Sequence, residues 1–191
     1  MKLEGKIAVV TGGSRGIGFA PCKKLASEGA TIIITDICDS EVAAPAIKEL
    51  EDMGAKAKFY QSDVSDFASA TETVNAIIEE FGGLDILVNN AGIQTPALTG
   101  GEKDIQVNLI GTMAVTQKYA FQPKIKSVLF NASVSALTGN EFPSYAASKA
   151  GIIGYMKNCA IRLANSYRAT CNALCFGGVL TELNENVIKN N

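Results

Sequence analysis

The 191-residue chain contains no histidine and no tryptophan. A missing imidazole removes Ser–His and Cys–His nucleophilic catalysis, and with it most transition-metal chemistry. Any proton-transferring base must then be Tyr, Lys, Asp or Glu, and no metal site is expected. Charge of one sign is not concentrated anywhere: 17 basic and 19 acidic residues leave a net −2, interspersed, with no basic patch to argue for nucleic acid. Long hydrophobic runs are missing too. The apolar stretches at 7–10 and 32–34 are strand-sized, far below the roughly 20 residues of a membrane span. The first of them is also too short for a signal-peptide core. A cytoplasmic protein with neither a membrane nor a nucleic-acid partner is the expectation. The cysteines Cys22, Cys38, Cys159, Cys171 and Cys175 are odd in number and form no C-x-x-C pair. They read as reduced, mostly buried small residues, with a reactive thiol as the lesser alternative.

What is present is an alternation of short apolar runs with helical segments. Strands are expected at 7–11, 31–36, 56–61, 84–88, 127–131 and 170–174, and helices at 15–28, 41–53, 66–81, 105–120 and 144–165. Strand, helix, strand at this spacing predicts an α/β fold: a doubly wound parallel sheet of Rossmann type, with right-handed crossovers. At this length a single domain spanning 1–191 is the simplest reading. Ligands of such sheets bind beyond the carboxyl ends of the strands, at the switch point.

Two segments carry chemistry. In Thr11-Gly-Gly-Ser-Arg-Gly-Ile-Gly18, the residues Gly12, Ser14, Arg15, Gly16, Ile17 and Gly18 follow a strand and open a helix. Small residues permit a tight turn and close approach of a pyrophosphate, and the helix N-terminus offers free N–H groups. Asp36 ends the second strand, where a carboxylate accepts hydrogen bonds from both ribose hydroxyls and repels a 2′-phosphate. NAD(H) is therefore favoured over NADP(H). Arg15 points the other way, since it can pair with a 2′-phosphate; its alternative is a solvated loop charge. The second segment, Tyr145-Ala-Ala-Ser-Lys149, places a phenol and an ammonium one helical turn apart. A neighbouring cation favours the phenolate and is expected to lower the tyrosine pKa, making a general acid/base. Together the two segments suggest hydride chemistry on a carbonyl or alcohol.

With Thr11–Gly18, Asn89-Asn90-Ala91-Gly92, Asn108, Ser133 and Tyr145-x-x-x-Lys149 in this order, the chain resembles the classical short-chain dehydrogenase/reductase family, from residue 6 to about residue 181. The resemblance implies a sheet that binds cofactor and substrate together. It implies Tyr145 as acid/base, Lys149 lowering its pKa and holding the nicotinamide ribose, and Ser133 on the substrate oxygen. It implies Asn108 at a helix kink, ordering a water that links Lys149 to solvent. Asp63 and Val64 would meet the adenine, Asn90, Ala91 and Gly92 would flank the cofactor, and Thr181 with the Val179 backbone would bind the nicotinamide carboxamide. Alternatives stay open residue by residue: a turn serine for Ser133, a helix cap for Asn108, an Asx-turn for Asp63. Candidate substrate-pocket residues are Gln94, Thr95, Val134, Phe142 and Phe176.

The chain also departs from the family pattern. Phe176-Gly177 stands where Pro-Gly is usual. Pro21 lies inside the first helix and should remove one hydrogen bond and bend it. The spacing from Ser133 to Tyr145 is one residue tighter than usual. The usual C-terminal lid and last strand are not expected, and the polar stretch 184–191 should fray. The leading expectation is an NAD(H)-dependent oxidoreductase acting on a secondary alcohol or ketone. Its rivals are an NADPH-dependent 3-oxoacyl-thioester reductase and a catalytically silent dinucleotide-binding relative. A homodimer or homotetramer is expected through helices 105–120 and 144–165, the second presenting Ala147, Ile152, Tyr155, Met156 and Cys159; core packing explains that face equally well.

Overall fold

Side chains alternate across a strand, and here both sides of the strands are apolar. In β1 (Ile7–Thr11), Val9 faces one core, while Ala8 and Val10 face another. Strands buried on both sides suit a parallel sheet with helices above and below. The computed structural model, which describes residues 1–96 and 98–181, has that architecture. β1 is joined by β2 (Thr31–Asp36), β3 (Ala57–Gln61), β4 (Ile86–Asn89), β5 (Ser127–Asn131) and β6 (Thr170–Leu174) in one six-stranded sheet, ordered β3-β2-β1-β4-β5-β6. Every pairing is parallel. Helices α1 (Gly16–Ser27) and α2 (Ser40–Asp52) cover the face built on Ala8, Val10, Ile32 and Ile34. The other face packs against α3 (Phe67–Phe81), α5 (Thr112–Ala120) and α7 (Pro143–Tyr167) through Val74, Ile77, Val115, Tyr119, Ile152 and Leu163.

Four strands begin and end where the sequence pattern puts them. β3 starts one residue late, at Ala57, and β4 differs more, running from Ile86 to Asn89 rather than over 84–88. The reason lies in Asp85, which accepts hydrogen bonds from the Lys6 amine (3.0 Å) and the Ile7 N–H (3.0 Å) and so anchors the entry to the strand. The helix expected at 105–120 begins earlier, as α4 (Glu102–Asp104), and passes through a π-helical stretch (Ile105–Gly111) before α5. A short helix α6 (Ser135–Thr138) had no counterpart in the sequence reading. Helix α1 runs on through Pro21. The stretch 184–191 lies outside the described residues. On α7, Ile152 and Cys159 are buried in the core and Tyr155 and Met156 pack against it, so that apolar face is core packing except at Ala147, which is exposed.

The strand order reverses at β1, whose neighbours are β2 and β4. That makes the crevice between the carboxyl ends of β1 and β4 the switch point of the sheet.

Candidate active site

A cavity of about 680 Å³ opens at that crevice. Its walls come from the turn after β1, the ends of β2, β4 and β5, the first turns of α7 and the segment after β6. It brings together Gly12, Arg15, Gly16, Ile17, Gly18, Asp36, Asp63, Val64, Asn90, Ala91, Gly92, Ser133, Tyr145, Lys149 and Thr181. Three of the expected site residues are not part of its lining: Ser14, Asn108 and Val179. Ser14 works one step back, its N–H donating to Asp36 Oδ2 at 3.1 Å.

At the nucleotide end, Asp36 is half-buried and fixed by two backbone donors, Ser14 N–H and Ile37 N–H (2.8 Å). The Asp63 carboxylate accepts from Ser65 N–H (2.8 Å) and Ser65 Oγ–H (2.7 Å). The Asx-turn reading of Asp63 is therefore correct, and the residue still lines the cavity. Asn90 laces three strand ends together. Its Nδ2 donates to the carbonyls of Thr11 (3.1 Å) and Gly12 (2.8 Å), and its Oδ1 accepts from Asn131 Nδ2 (2.8 Å). Thr11 Oγ1 accepts from the N–H groups of Asn90 and Ala91, both at 3.0 Å. Gly18 sits inside this lacing: a Cβ there would collide with the Gly12 carbonyl and the Asn90 carboxamide. Thr11 and Asn131 were not singled out from sequence, although each is a polar residue in the last position of a strand.

At the other end, Ser133 and Tyr145 both face the cavity. Ser133 Oγ also accepts from Ser135 N–H (3.1 Å) and donates to Ser135 Oγ (3.0 Å), so Ser133 both opens a turn and faces the cavity. The Lys149 ammonium lies 5.6 Å from the centre of the Tyr145 ring and donates to the Asn131 carbonyl at 3.0 Å. Burial pushes this lysine down to about 8, against the opposing pull of the Asp104 charge. Tyr145 does not show the expected lowering. Burial raises it, the nearby Ser133 hydroxyl lowers it, and the charges of Glu141 and Asp104 raise it further. The physical reason is placement, because Lys149 lies over the ring face and is spent on a backbone carbonyl rather than held at the phenol oxygen.

Asn108 is buried within the π-helical stretch. Its Oδ1 accepts from Ile93 N–H (2.7 Å), and its Nδ2 donates to the Ile93 carbonyl (2.8 Å) and to Ser148 Oγ (3.1 Å). Ser148 Oγ in turn donates to the Tyr145 carbonyl (2.7 Å). Asn108 is thus no helix cap. It ties the loop after β4 to α7, and Gly92 permits the approach: a Cβ there would lie 3.0 Å from Asn108 Oδ1 and 3.4 Å from Lys149 Nζ.

Of the five candidate substrate-pocket residues, Gln94 and Phe176 line the cavity and Thr95, Val134 and Phe142 do not. Thr95 is turned away to Asp104, and Phe142 is the N-cap of α7. The Phe176 carbonyl accepts from Val134 N–H at 2.8 Å, which holds the segment after β6 beside Ser133.

The cavity fits a dinucleotide on its own features. Its lining takes in both Asp36 and Tyr145, and side-chain-free residues Gly12, Gly16 and Gly18 stand at and just before the N-terminus of α1, where backbone N–H groups favour a phosphate.

The family model for short chain dehydrogenase matches residues 6–191. The chain belongs to the short chain dehydrogenase family. It is an oxidoreductase of that family, similar to the 3-oxoacyl-[acyl-carrier-protein] reductase FabG of Thermotoga maritima, with 37% identity over 97% of this chain and 78% of the relative. Two solved short-chain dehydrogenase structures are close in shape. The 3-oxoacyl-[acyl-carrier protein] reductase from Brucella melitensis in complex with NAD has 32% identity and a TM-score of 0.87 over 97% of this chain and 78% of its own. A short chain dehydrogenase from Burkholderia cenocepacia in complex with NADP has 34% identity and a TM-score of 0.88 over 96% and 78%. Among the described residues, no helix is long and apolar enough to cross a membrane, and no cluster of acidic or sulfur side chains could hold a metal ion.

Proposed function

We propose that this short chain dehydrogenase interconverts a secondary alcohol and a ketone with NAD(H), Tyr145 exchanging a proton with the substrate oxygen. One observation carries the reading. Ser133, Tyr145 and Lys149 line the same cavity as the Asp36 carboxylate and the glycine turn after β1. Gly12, Gly16 and Gly18 would hold the pyrophosphate, Asp36 the adenosine ribose, Val64 the adenine, and Lys149 the nicotinamide ribose, with Thr181 at the carboxamide. The dinucleotide, when bound, supplies or accepts hydride at the substrate carbon.

The chain's residues handle the proton. In reduction, Tyr145 donates its phenolic proton to the substrate oxygen while Ser133 hydrogen-bonds that oxygen and steadies its developing charge. Lys149, whose amine titrates near 8, stands at the tyrosine ring as the next proton source. Asn108 keeps the helix carrying both residues in register with the loop after β4. The substrate class is a small to medium secondary alcohol or ketone, with a hydroxysteroid, a polyol and a 3-hydroxyacyl group all open. The reaction is assigned to the cytoplasm and to a homodimer or homotetramer, favoured by exposed Ile110 and Ile161 on the two helices flanking the core.

A second reading, an NADPH-linked 3-oxoacyl-thioester reductase, is favoured by the similarity to the Thermotoga enzyme and by Arg15 at the cavity wall. Parallel calorimetric titrations with NADH and NADPH, repeated on Asp36→Ala, separate the two. Tight NADH and weak NADPH binding, with the preference lost in the variant, supports the first reading. NADPH preference in the parent chain supports the second, and binding of neither defeats both.

A further inference from the structure

Asp104 is fully buried, although it ends the charged run Glu102-Lys103-Asp104. A carboxylate in that setting is costly, and filling space alone would be served better by an apolar side chain. Among the described residues, the hydrogen bonds of its carboxylate all run to one residue. The Thr95 N–H donates to both oxygens (3.1 and 3.2 Å), and the Thr95 hydroxyl donates to Oδ1 at 2.6 Å. No lysine or arginine among the described residues forms an ion pair with it. Gly101 is the spacer between Asp104 and the first turn of α7: a Cβ there would lie 2.5 Å from Ser144 Oγ and 3.8 Å from Asp104 Oδ2. Ser144 precedes Tyr145. The buried charge therefore stands one small residue away from the helix turn that carries the phenol.

We propose that Asp104 is a positioning residue: it clamps the loop after β4 through Thr95 and sets a water-excluded negative charge beside the helix turn that carries Tyr145 and Lys149, the proton-handling pair of ketone reduction. The inference rests on the reading of that pair as the proton-transfer machinery. Among the charged groups, Asp104 from α4 acts on both members of the pair, and Glu141, from the segment before α7, acts on Tyr145. Glu141 is exposed and held by the Gln94 carboxamide at 3.0 Å, so solvent and salt screen it. Lys103 lines the cavity but is exposed. Asp104 is the member of the set that water does not reach. Negative charge beside an amine or a phenol holds the proton on each.

Two variants separate the clamp from the charge. Asp104→Asn keeps the shape and an acceptor for the Thr95 N–H but removes the charge. Thr95→Val removes the hydroxyl donor and leaves the charge. Two readouts are taken: the pH profile of ketone reduction with NADH, and a carbon-NMR titration of lysine-labelled protein, with the Lys149 signal assigned through Lys149→Arg. In Asp104→Asn, the alkaline limb of reduction and the Lys149 titration both move down by about one pH unit. In Thr95→Val, both stay in place while KM rises several-fold. Unmoved titration and an unmoved limb in Asp104→Asn would overturn the proposal, as would an equal movement in Thr95→Val. If no alcohol or ketone is turned over, the functional reading fails, and the Lys149 titration alone decides whether Asp104 acts on the pair.

Discussion

Replacing Lys149 by methionine should change how the stability of the protein depends on pH. Methionine preserves length and apolar bulk but cannot be charged. Lys149 is 6% exposed, and burial takes its amine from the ordinary 10.5 to about 8. At about 1.4 kcal/mol per pH unit, that displacement makes the buried ammonium cost the fold about 3 kcal/mol at pH 7. The sign follows from proton counting. Between about pH 8 and 10.5 the unfolded chain binds the proton and the folded chain does not, so the parent gains stability as pH rises through that window. By about pH 9.5 some 2 kcal/mol of the cost has gone. The lost hydrogen bond to the Asn131 carbonyl offsets part of the variant's advantage at neutral pH, but that loss is a baseline and does not imitate the pH dependence. Urea unfolding of both proteins at about pH 7 and 9.5 measures the change. A stability difference between parent and variant that moves by about 2 kcal/mol in the parent's favour on raising the pH is the expected result. A difference that stays constant would refute the reasoning, and with it the account of Lys149 as a desolvated amine.

Two further outcomes follow from contacts in the same cavity. Gly18→Ala drives a methyl group into the Gly12 carbonyl and the Asn90 carboxamide, so it should destabilise the chain by about 1–3 kcal/mol and weaken NADH binding, read by thermal unfolding and calorimetry. Asn108→Ala strips partners from the Ile93 N–H and carbonyl and from Ser148; a loss of about 2–4 kcal/mol in urea unfolding is expected, and a neutral variant would show that the lacing between the β4 loop and α7 is not holding the site.

Much of this was legible in sequence, for local reasons. β-branched runs flanked by glycine marked β1 and β2, and spacing along a helix put Tyr145 and Lys149 on one face. The parts that escaped depend on partners far along the chain. Asp104 reads locally as one more charge at a helix start, and only the fold shows Thr95 capturing it. The Asn108 side chain in the π-helical stretch is bonded to the Ile93 backbone, which approaches from the loop after β4. Spacing along the helix suggests a lowered Tyr145 pKa, whereas burial raises it, and the lysine amine that would oppose this ends at the Asn131 carbonyl, a contact between α7 and the end of β5. Of the pocket candidates the sequence offers, Thr95, Val134 and Phe142 are not part of the cavity lining, and Thr95 is held by Asp104 instead.

The most direct measurement on the central claim compares the parent with Tyr145→Phe, which keeps the ring and removes only the hydroxyl. NADH affinity is measured alongside turnover of secondary alcohols and ketones. The account predicts unchanged affinity and a fall in turnover of at least about 10²–10⁴-fold, the contribution of a positioned general acid. Turnover as fast as the parent's, with the cofactor still bound, would contradict it.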